Sequence, residues 1–332
     1  MQIGLFDEGG LLDLPNLAIA RYAAYYRARG AEVQHNRLGR RYDLAIISCI
    51  FAAHWPKMRQ TIAALDAGEI RAGGPGYSLA ADSKPPWATL PSEIEATPPD
   101  LSMWPDWPWS LDYSYRGCIR RCDFCVVPRQ EGRQLRRAAG SYLDMLRPEA
   151  RTAPKGHHLV DLANNILAAP EQELAALWSE VHALGLTLDY CQGLDVRLMT
   201  QAIAEEIASL PLYTRWQNKR GQWRKAKRLY LALDHSHLIP RFERAAKWLL
   251  KAGVTGRNIF VYILERPGEE ADTLTRIQVV ARLGLKPYVM PLNDHVDSGL
   301  RRWVNRRYYE FVPWEKYQRR RSDRQMALAG NR

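Results

Sequence analysis

The sequence predicts an α/β protein: a small doubly wound parallel sheet followed by a partial (β/α)6-type TIM-like barrel. Three observations predict it. Apolar runs of strand length alternate with helically spaced stretches through the first 80 residues. A tract crowded with Pro and Trp interrupts that alternation over 83–110. The alternation then restarts at 111 and continues through six candidate strands to about residue 310. The expected parts are thus residues 1–82, a linker 83–110, a barrel 111–310 and a basic tail 311–332.

The first part reads in order. MQIGLFD is a short apolar strand that ends in an acidic, Gly-rich turn. LPNLAIARYAAYYRARG carries apolar residues at helical spacing and stops at Gly30. AEVQHN is a second strand, and YDLAIISCIF a strongly buried one. PKMRQTIAALDAG is a helix with Pro56 near its first turn, and EIRAGGPGYS a strand running into a Gly-rich loop. That loop, Gly73-Gly74-Pro75-Gly76, lacks dinucleotide-fingerprint spacing and has no clear helix pattern after it, so it reads as a tight connecting turn. The whole is a flavodoxin-like βαβαβ pattern.

The tract KPPWATLPSEIEATPPDLSMWPDWPWS is irregular, and its aromatics predict that it packs over a surface. The barrel strands expected are LDYSYRG, HHLVDLA, LTLDYCQGLD, RLYLALD, NIFVYILE and KPYVMPL. EQELAALWSEVHALG, IPRFERAAKWLLKAG and EADTLTRIQVVARLG are helices between them. A barrel places its active site at the carboxyl ends of the strands.

Composition narrows the classes. No apolar run approaches the roughly 20 residues of a membrane span, and MQIGLFDEGG lacks the basic and apolar regions of a secretory signal. A cytoplasmic protein without membrane association is expected, and with it no disulfide framework. The formal charge is +11 and the pI about 9.5. Such a surface attracts polyanions, nucleic acid first among them.

Three of the five cysteines fall within YRGCIRRCDFCVVPRQEG, as Cys118, Cys122 and Cys125. A structural zinc site takes four ligands and a disulfide two. A [4Fe–4S] cluster held by three cysteines keeps one iron open, where a substrate can bind. C-x-x-x-C-x-aromatic-C after the first strand of a (β/α) barrel resembles the signature of radical S-adenosylmethionine enzymes. The resemblance implies that the open iron chelates S-adenosylmethionine, whose reductive cleavage gives a 5′-deoxyadenosyl radical. It also implies an electron donor such as flavodoxin or ferredoxin.

Other positions match that family at strand ends. Phe124 corresponds to the aromatic near the adenine. VDLANN, with Asp161, Asn164 and Asn165, stands where the family has a Gly-Gly-Glu-like motif, from which it departs. QGLDVR supplies Asp195 and Arg197 for the zwitterionic methionine group, and LALD supplies Asp234. ILERPGEE puts Glu265, Gly268 and Glu269 after the fifth strand, and PYVMPL offers backbone contacts after the sixth. Cys191 reads as a small buried thiol inside the third strand, and His157 and His158 as structural.

CVVPRQEGR resembles the methylthiotransferase branch, but Cys49 alone cannot hold the second cluster those enzymes carry. The first 82 residues resemble the cobalamin-binding domains that precede many radical barrels. Neither His35 nor His54 lies in a D-x-H-x-x-G motif, so cobalamin is not expected.

Basic residues point to the substrate. Arg120, Arg121, Arg133, Arg136 and Arg137 follow the first barrel strand and are candidate phosphate contacts. Residues 301–321 interleave arginines with Trp and Tyr, which suits a flipped base or a single strand, or an amphipathic helix packed on the barrel. TRWQNKRGQWRKAKR is a third basic stretch, placed before the fourth strand and therefore at the far end of a barrel. The layout resembles compact radical proteins of bacteria and phages, some from clusters that hypermodify thymine in viral DNA. That implies rearrangement of a DNA base or base adduct. Radical chemistry on a peptide or small metabolite is the alternative enzyme, and an iron–sulfur or zinc nucleic-acid-binding module the non-enzymatic one.

Overall fold

The computed structural model describes residues 1–8, 14–80, 90–292 and 299–318. The chain divides into two compact units, Met1–Leu162 and Ala163–Arg332.

The first unit begins with β1 (Gln2–Glu8), α1 (Leu17–Arg27), β2 (Glu32–His35), β3 (Arg41–Cys49), α2 (Trp55–Ala64) and β4 (Asp66–Gly73). The strands form one parallel sheet in the order β2-β1-β3-β4. Both faces are covered, which explains why β3 reads as a continuous apolar run rather than an alternating one. Leu44 and Ile46 face the α1 side with Ile3, Leu5, Ile19 and Tyr22. Ala45 and Ile47 face the other side with Phe6, Tyr42 and Met58. Each large apolar side chain so buried contributes roughly 1.5–3 kcal/mol. Asn16 caps α1 by accepting from the backbone N–H groups of Ala18 and Ile19.

Two boundaries differ from the sequence expectation. The helix over PKMRQTIAALDAG stops at Ala64, because Asp66, Ala67 and Gly68 already belong to β4, in register with Arg41 and Tyr42 of β3. A short helix, α3 (Pro75–Ala80), does follow the Gly-rich loop. The loop is a close-approach device: Gly74 has φ +97°, and a Cβ there would lie 2.5 Å from the Cys49 carbonyl oxygen.

The described part of the Pro/Trp tract packs as its aromatics predicted. It contains α4 (Ser92–Glu95), and its Ile94, Leu101, Trp107 and Trp109 are buried. Residues 83–89 of the expected linker and the acidic turn at 9–13 lie outside the described residues.

LDYSYRG is not one strand. β5 (Ser110–Asp112) pairs in parallel with β8 (His158–Asp161), whereas β6 (Tyr115–Arg116) turns away to pair antiparallel with β7 (Arg136–Arg137). The break at 113–114 has a polar cause. Asp112 accepts from the Tyr113 N–H, and Ser114 is drawn to the Asp161 carboxylate by both its N–H and its hydroxyl. Between these strands lie α5 (Val127–Gln130), α6 (Tyr142–Met145) and α7 (Pro148–Arg151). His157 hydrogen-bonds Ser110 and His158 packs edge-on against Trp109, in keeping with structural roles.

The second unit runs through α8 (Glu171–Leu184), β9 (Thr187–Tyr190), α9 (Gln201–Ser209), β10 (Tyr213–Gln217), β11 (Trp223–Lys227), β12 (Leu229–Ala232), α10 (Ile239–Lys251), β13 (Ile259–Glu265), α11 (Glu270–Arg282), β14 (Lys286–Pro291) and α12 (Leu300–Asn305). β12, β13 and β14 form a parallel sheet, and a bridge between Leu194 and Leu231 continues it past β12. α8 ends at Gly185, whose left-handed conformation (φ 62°) closes the C-cap. The basic stretch before the fourth strand is an antiparallel hairpin of β10 and β11, an element the charge pattern concealed. Cys191 follows β9 rather than lying within it, and is half-buried. Arg319–Arg320–Arg321 and the rest of the expected tail beyond residue 318 lie outside the described residues.

Candidate functional site

The cysteines sit on an irregular loop between β6 and α5 whose shape is set by backbone chemistry. Gly117, immediately before Cys118, has φ +82°, and a Cβ there would come 2.2 Å from the Gln134 carbonyl oxygen. Only glycine fits both constraints. The Glu131 carboxylate holds the two ends of the loop together. One oxygen accepts from the Gly117 N–H at 3.1 Å and the other from the Arg116 guanidinium at 2.8 Å. Arg116 also reaches Glu95 at 3.1 Å, and Gln130 donates to the Pro75 carbonyl at 3.4 Å. The loop therefore rests on the segments around α3 and α4.

Within the loop, Cys118 is buried, and Cys122 and Cys125 are half-buried. The Arg120 N–H points at the Cys118 sulfur at 3.4 Å, and the Cys125 N–H closes a turn onto the Cys122 carbonyl at 3.1 Å. All five cysteines are thiols. Among the described residues no three His, Cys, Asp or Glu groups converge closely enough to hold one metal ion. Thiolates that grip separate irons of one cluster stand wider apart than ligands of a single ion. An amide donor aimed at a cluster-bound sulfur is a usual means of tuning such a cluster. Cysteine thiols are the donor type that an iron–sulfur cluster takes, and three of them stand on this one loop. Phe124 lies half-buried in the same loop.

At the strand ends of this unit, Asp161 is fully buried. Its oxygens accept from the Ser114 N–H (3.0 Å), the Ser114 hydroxyl (2.5 Å) and the Tyr142 hydroxyl (3.2 Å). Those bonds make it the anchor of the chain reversal that launches the cysteine loop. Asp112 faces Arg21 of α1 in a buried ion pair. Burial pushes the Asp112 carboxyl up, and the Arg21 guanidinium opposes that rise.

In the second unit the strand-end residues form a linked polar group. Arg197 grips Asp195 through its Nε (2.6 Å), one terminal nitrogen (3.1 Å) and its backbone N–H (3.1 Å). The Asn165 amide donates to the same carboxylate at 3.2 Å. Asn164, beside it, is half-buried. Asp234 is held above its ordinary pKa by burial, against the pull of Arg276, His235 and Arg197. Arg276 is fully buried. It donates to the carbonyls of Leu233 (3.1 Å) and Leu264 (2.9 Å), to the Thr273 hydroxyl (3.0 Å) and to Asp272 (2.9 Å). It thereby fixes the chain just beyond β12 and within the end of β13. Sequence reading passed it over, although a lone charge inside the apolar stripe Thr273–Ile277–Val280 was a visible signal.

No family model matches the sequence, and no curated protein matches it. Among solved structures, the chain is similar to coproporphyrinogen III oxidase (HemN) from Escherichia coli, described as a radical SAM enzyme. The similarity covers 65% of this chain and 50% of that one, at 13% identity and a TM-score of 0.34. The chain thus spans about half the length of that protein.

The candidate nucleic-acid arginines divide. Arg136 lies 3.7 Å from Glu95, and Arg137 donates to the Ala139 and Gly140 carbonyls. Arg121 and Arg133 are exposed, and Arg120 is half-buried. Sequence reading also missed Glu95 and Glu131 as the acids that shape the cysteine loop.

Proposed function

We propose that the protein is a radical S-adenosylmethionine enzyme, built on a partial (β/α) barrel, that modifies or rearranges a base or base adduct in nucleic acid. Thymine in phage-type DNA is the substrate to examine first. The observation that carries the reading is the loop itself: three thiols and no fourth, with a glycine and a glutamate dedicated to its shape. No helix among the described residues is long and apolar enough to cross a membrane.

Cys118, Cys122 and Cys125 would hold a [4Fe–4S] cluster, which with S-adenosylmethionine on its open iron supplies a 5′-deoxyadenosyl radical for hydrogen abstraction. The chain's own groups do the rest. Gly117 and Glu131 set the loop path, and the Arg120 N–H stabilises charge on the Cys118 sulfur. Phe124 is the proposed adenine contact. Asn164, Asp195, Arg197 and Asp234 are the proposed partners of the amino and carboxylate groups of methionine, a zwitterion that needs both signs. Asp161 serves as a positioning residue through Ser114. Arg120, Arg121, Arg133, Arg136 and Arg137 are proposed phosphate contacts, and flavodoxin or ferredoxin a proposed reductant.

The test is anaerobic reconstitution with iron and sulfide, reduction, and mass-spectrometric detection of 5′-deoxyadenosine, with and without DNA. The triple Cys118→Ala/Cys122→Ala/Cys125→Ala variant is the control. Cleavage that requires the cysteines and rises with DNA is expected. A fully loaded, reducible cluster that never cleaves S-adenosylmethionine would overturn the reading, and cleavage indifferent to DNA would overturn the substrate class.

A further inference from the structure

The C-terminal part of the second unit carries a site that the cysteine loop does not explain. α12 lies along the open edge of β14, held there by Asn305. The Asn305 amide donates to the Val289 carbonyl at 2.9 Å and accepts from the Val289 N–H at 2.9 Å. One side chain thus satisfies both edge groups of Val289, as a neighbouring strand would. Trp303, on the buried side of the helix, donates to the Val312 carbonyl at 2.8 Å. The helix is fixed from both sides.

Beside this helix opens a cavity of about 770 Å³ lined by Arg301, Arg302, Arg306, Asn305, Tyr288 and Tyr308. The three arginines are exposed, and among the described residues none has an ion-pair partner. The neighbouring acid, Glu310, is taken by Lys286 at 2.8 Å and by Arg307 at 2.9 Å. Arg301 and Arg302 lie in α12 and Arg306 directly follows it. An arrangement that leaves three planar, bidentate donors around one cavity suits phosphate oxygens.

The rings complete the site. Trp303, Trp314, Tyr317 and Tyr308 form a continuous series of ring contacts leading outward from the core. Trp314 stacks on Tyr317 (5.7 Å between centroids, 24°), and Tyr317 on Tyr308 (5.6 Å, 29°). The series ends at Tyr308, 40% exposed and on the cavity wall. Tyr288 presents a second ring, 41% exposed. Aromatic faces next to arginines are the elements of single-stranded nucleic-acid binding: bases stack on the rings while the guanidiniums follow the backbone.

We infer that this cradle binds a nucleotide unit of single-stranded nucleic acid, with phosphates on Arg301, Arg302 and Arg306 and a base on Tyr308. The inference rests on the nucleic-acid reading of the function and names where the strand is held. Its test is separable from the radical chemistry. Binding of a fluorescein-labelled oligothymidylate to the full chain is followed by anisotropy across a salt series, without S-adenosylmethionine or reductant. Absence of 5′-deoxyadenosine from the wild-type protein would bear on the radical reading alone.

Each single-strand phosphate contact contributes about 0.7 to the slope of log K against log salt. The Arg301→Ala/Arg302→Ala/Arg306→Ala variant should therefore lose about 2 from that slope. Tyr308→Ala should weaken binding about fivefold or more with little change in slope. Arg301→Lys/Arg302→Lys/Arg306→Lys, which keeps the charge, should retain most of the slope, and a wild-type thermal midpoint in each variant shows that the fold is intact. An unchanged slope and affinity in the alanine variant would make the cradle a solvated face and overturn the inference. Equal competition by thymidine 5′-monophosphate, or equal affinity for duplex DNA, would overturn the assignment to a single strand.

Discussion

Arginines are dense both around the cysteine loop and along the last helix, but the two regions use them differently. Around the loop, Arg116 is enclosed by Glu131 and Glu95, Arg136 approaches Glu95, and Arg137 is bonded to carbonyls. Beside α12, Arg301, Arg302 and Arg306 line a cavity on which no acid stands among the described residues. In the first region Arg116 holds the loop in shape; in the second the arginines raise the potential of an open surface. The comparison teaches that an arginine count predicts neither role. What matters is whether a carboxylate is already within reach.

The sharpest way to break the comparison is to remove charge that is built into the framework. Arg276→Ala strips a fully buried guanidinium from the Leu233 and Leu264 carbonyls and should cost roughly 3–5 kcal/mol, read by chemical denaturation. A loss below 1 kcal/mol would show that water replaces it. Next in size is the cysteine loop. Gly117→Ala forces a Cβ against the Gln134 carbonyl at positive φ, so a cost of about 1–3 kcal/mol and a clear drop in iron bound per chain are expected. Glu131→Gln should act in the same direction on iron content with a smaller stability cost, because a neutral amide still accepts from Gly117 but loses its ion pair with Arg116. Unchanged iron loading in both variants would separate loop shape from cluster binding. The arginines of α12 should give the opposite pattern, with stability unchanged within about 0.5 kcal/mol and binding altered.

The smallest expected effect concerns pH. Burial pushes Asp7 up to about 6 from 3.8, with help from Glu8, against the hydrogen bond donated by the Asn16 amide. A carboxyl raised on folding holds its proton more tightly in the folded state. Its contribution is therefore complete below pH ~4 and is lost as the pH rises through about 6. Partial exposure reduces the effect to about 1–2 kcal/mol. Asp7→Asn should flatten the denaturation midpoint over that interval, and an unaltered pH profile would show that Asp7 titrates normally.

Much of the molecule was legible in sequence because its signals are local. Helical spacing and the Gly30 stop located α1, the apolar run located β3, and the cysteine spacing isolated the candidate site. The errors were also local in origin. LDYSYRG has strand composition throughout, yet Ser114 is drawn aside by Asp161, 47 residues on. TRWQNKRGQWRKAKR reads in sequence either as an anchor for a long polymer or as a solvated loop, without a strand signal. It forms a hairpin in which Arg215 reaches buried Asp189 at 2.7 Å and Lys225 reaches the Thr187 hydroxyl at 2.9 Å.

By itself, then, the sequence determined the strand–helix alternation, the parallel covered sheet at the N-terminus and a loop with three thiols and no fourth. Those depend on periodicity and spacing, which a chain carries from residue to neighbouring residue. Only the tertiary structure decided which charged groups meet partners far along the chain: Arg21 meets Asp112 across 91 positions and Arg276 the Leu233 carbonyl across 43, whereas Arg301, Arg302 and Arg306 meet no acid among the described residues. Coulomb and hydrogen-bond partners are chosen by distance in space, and folding alone sets that distance.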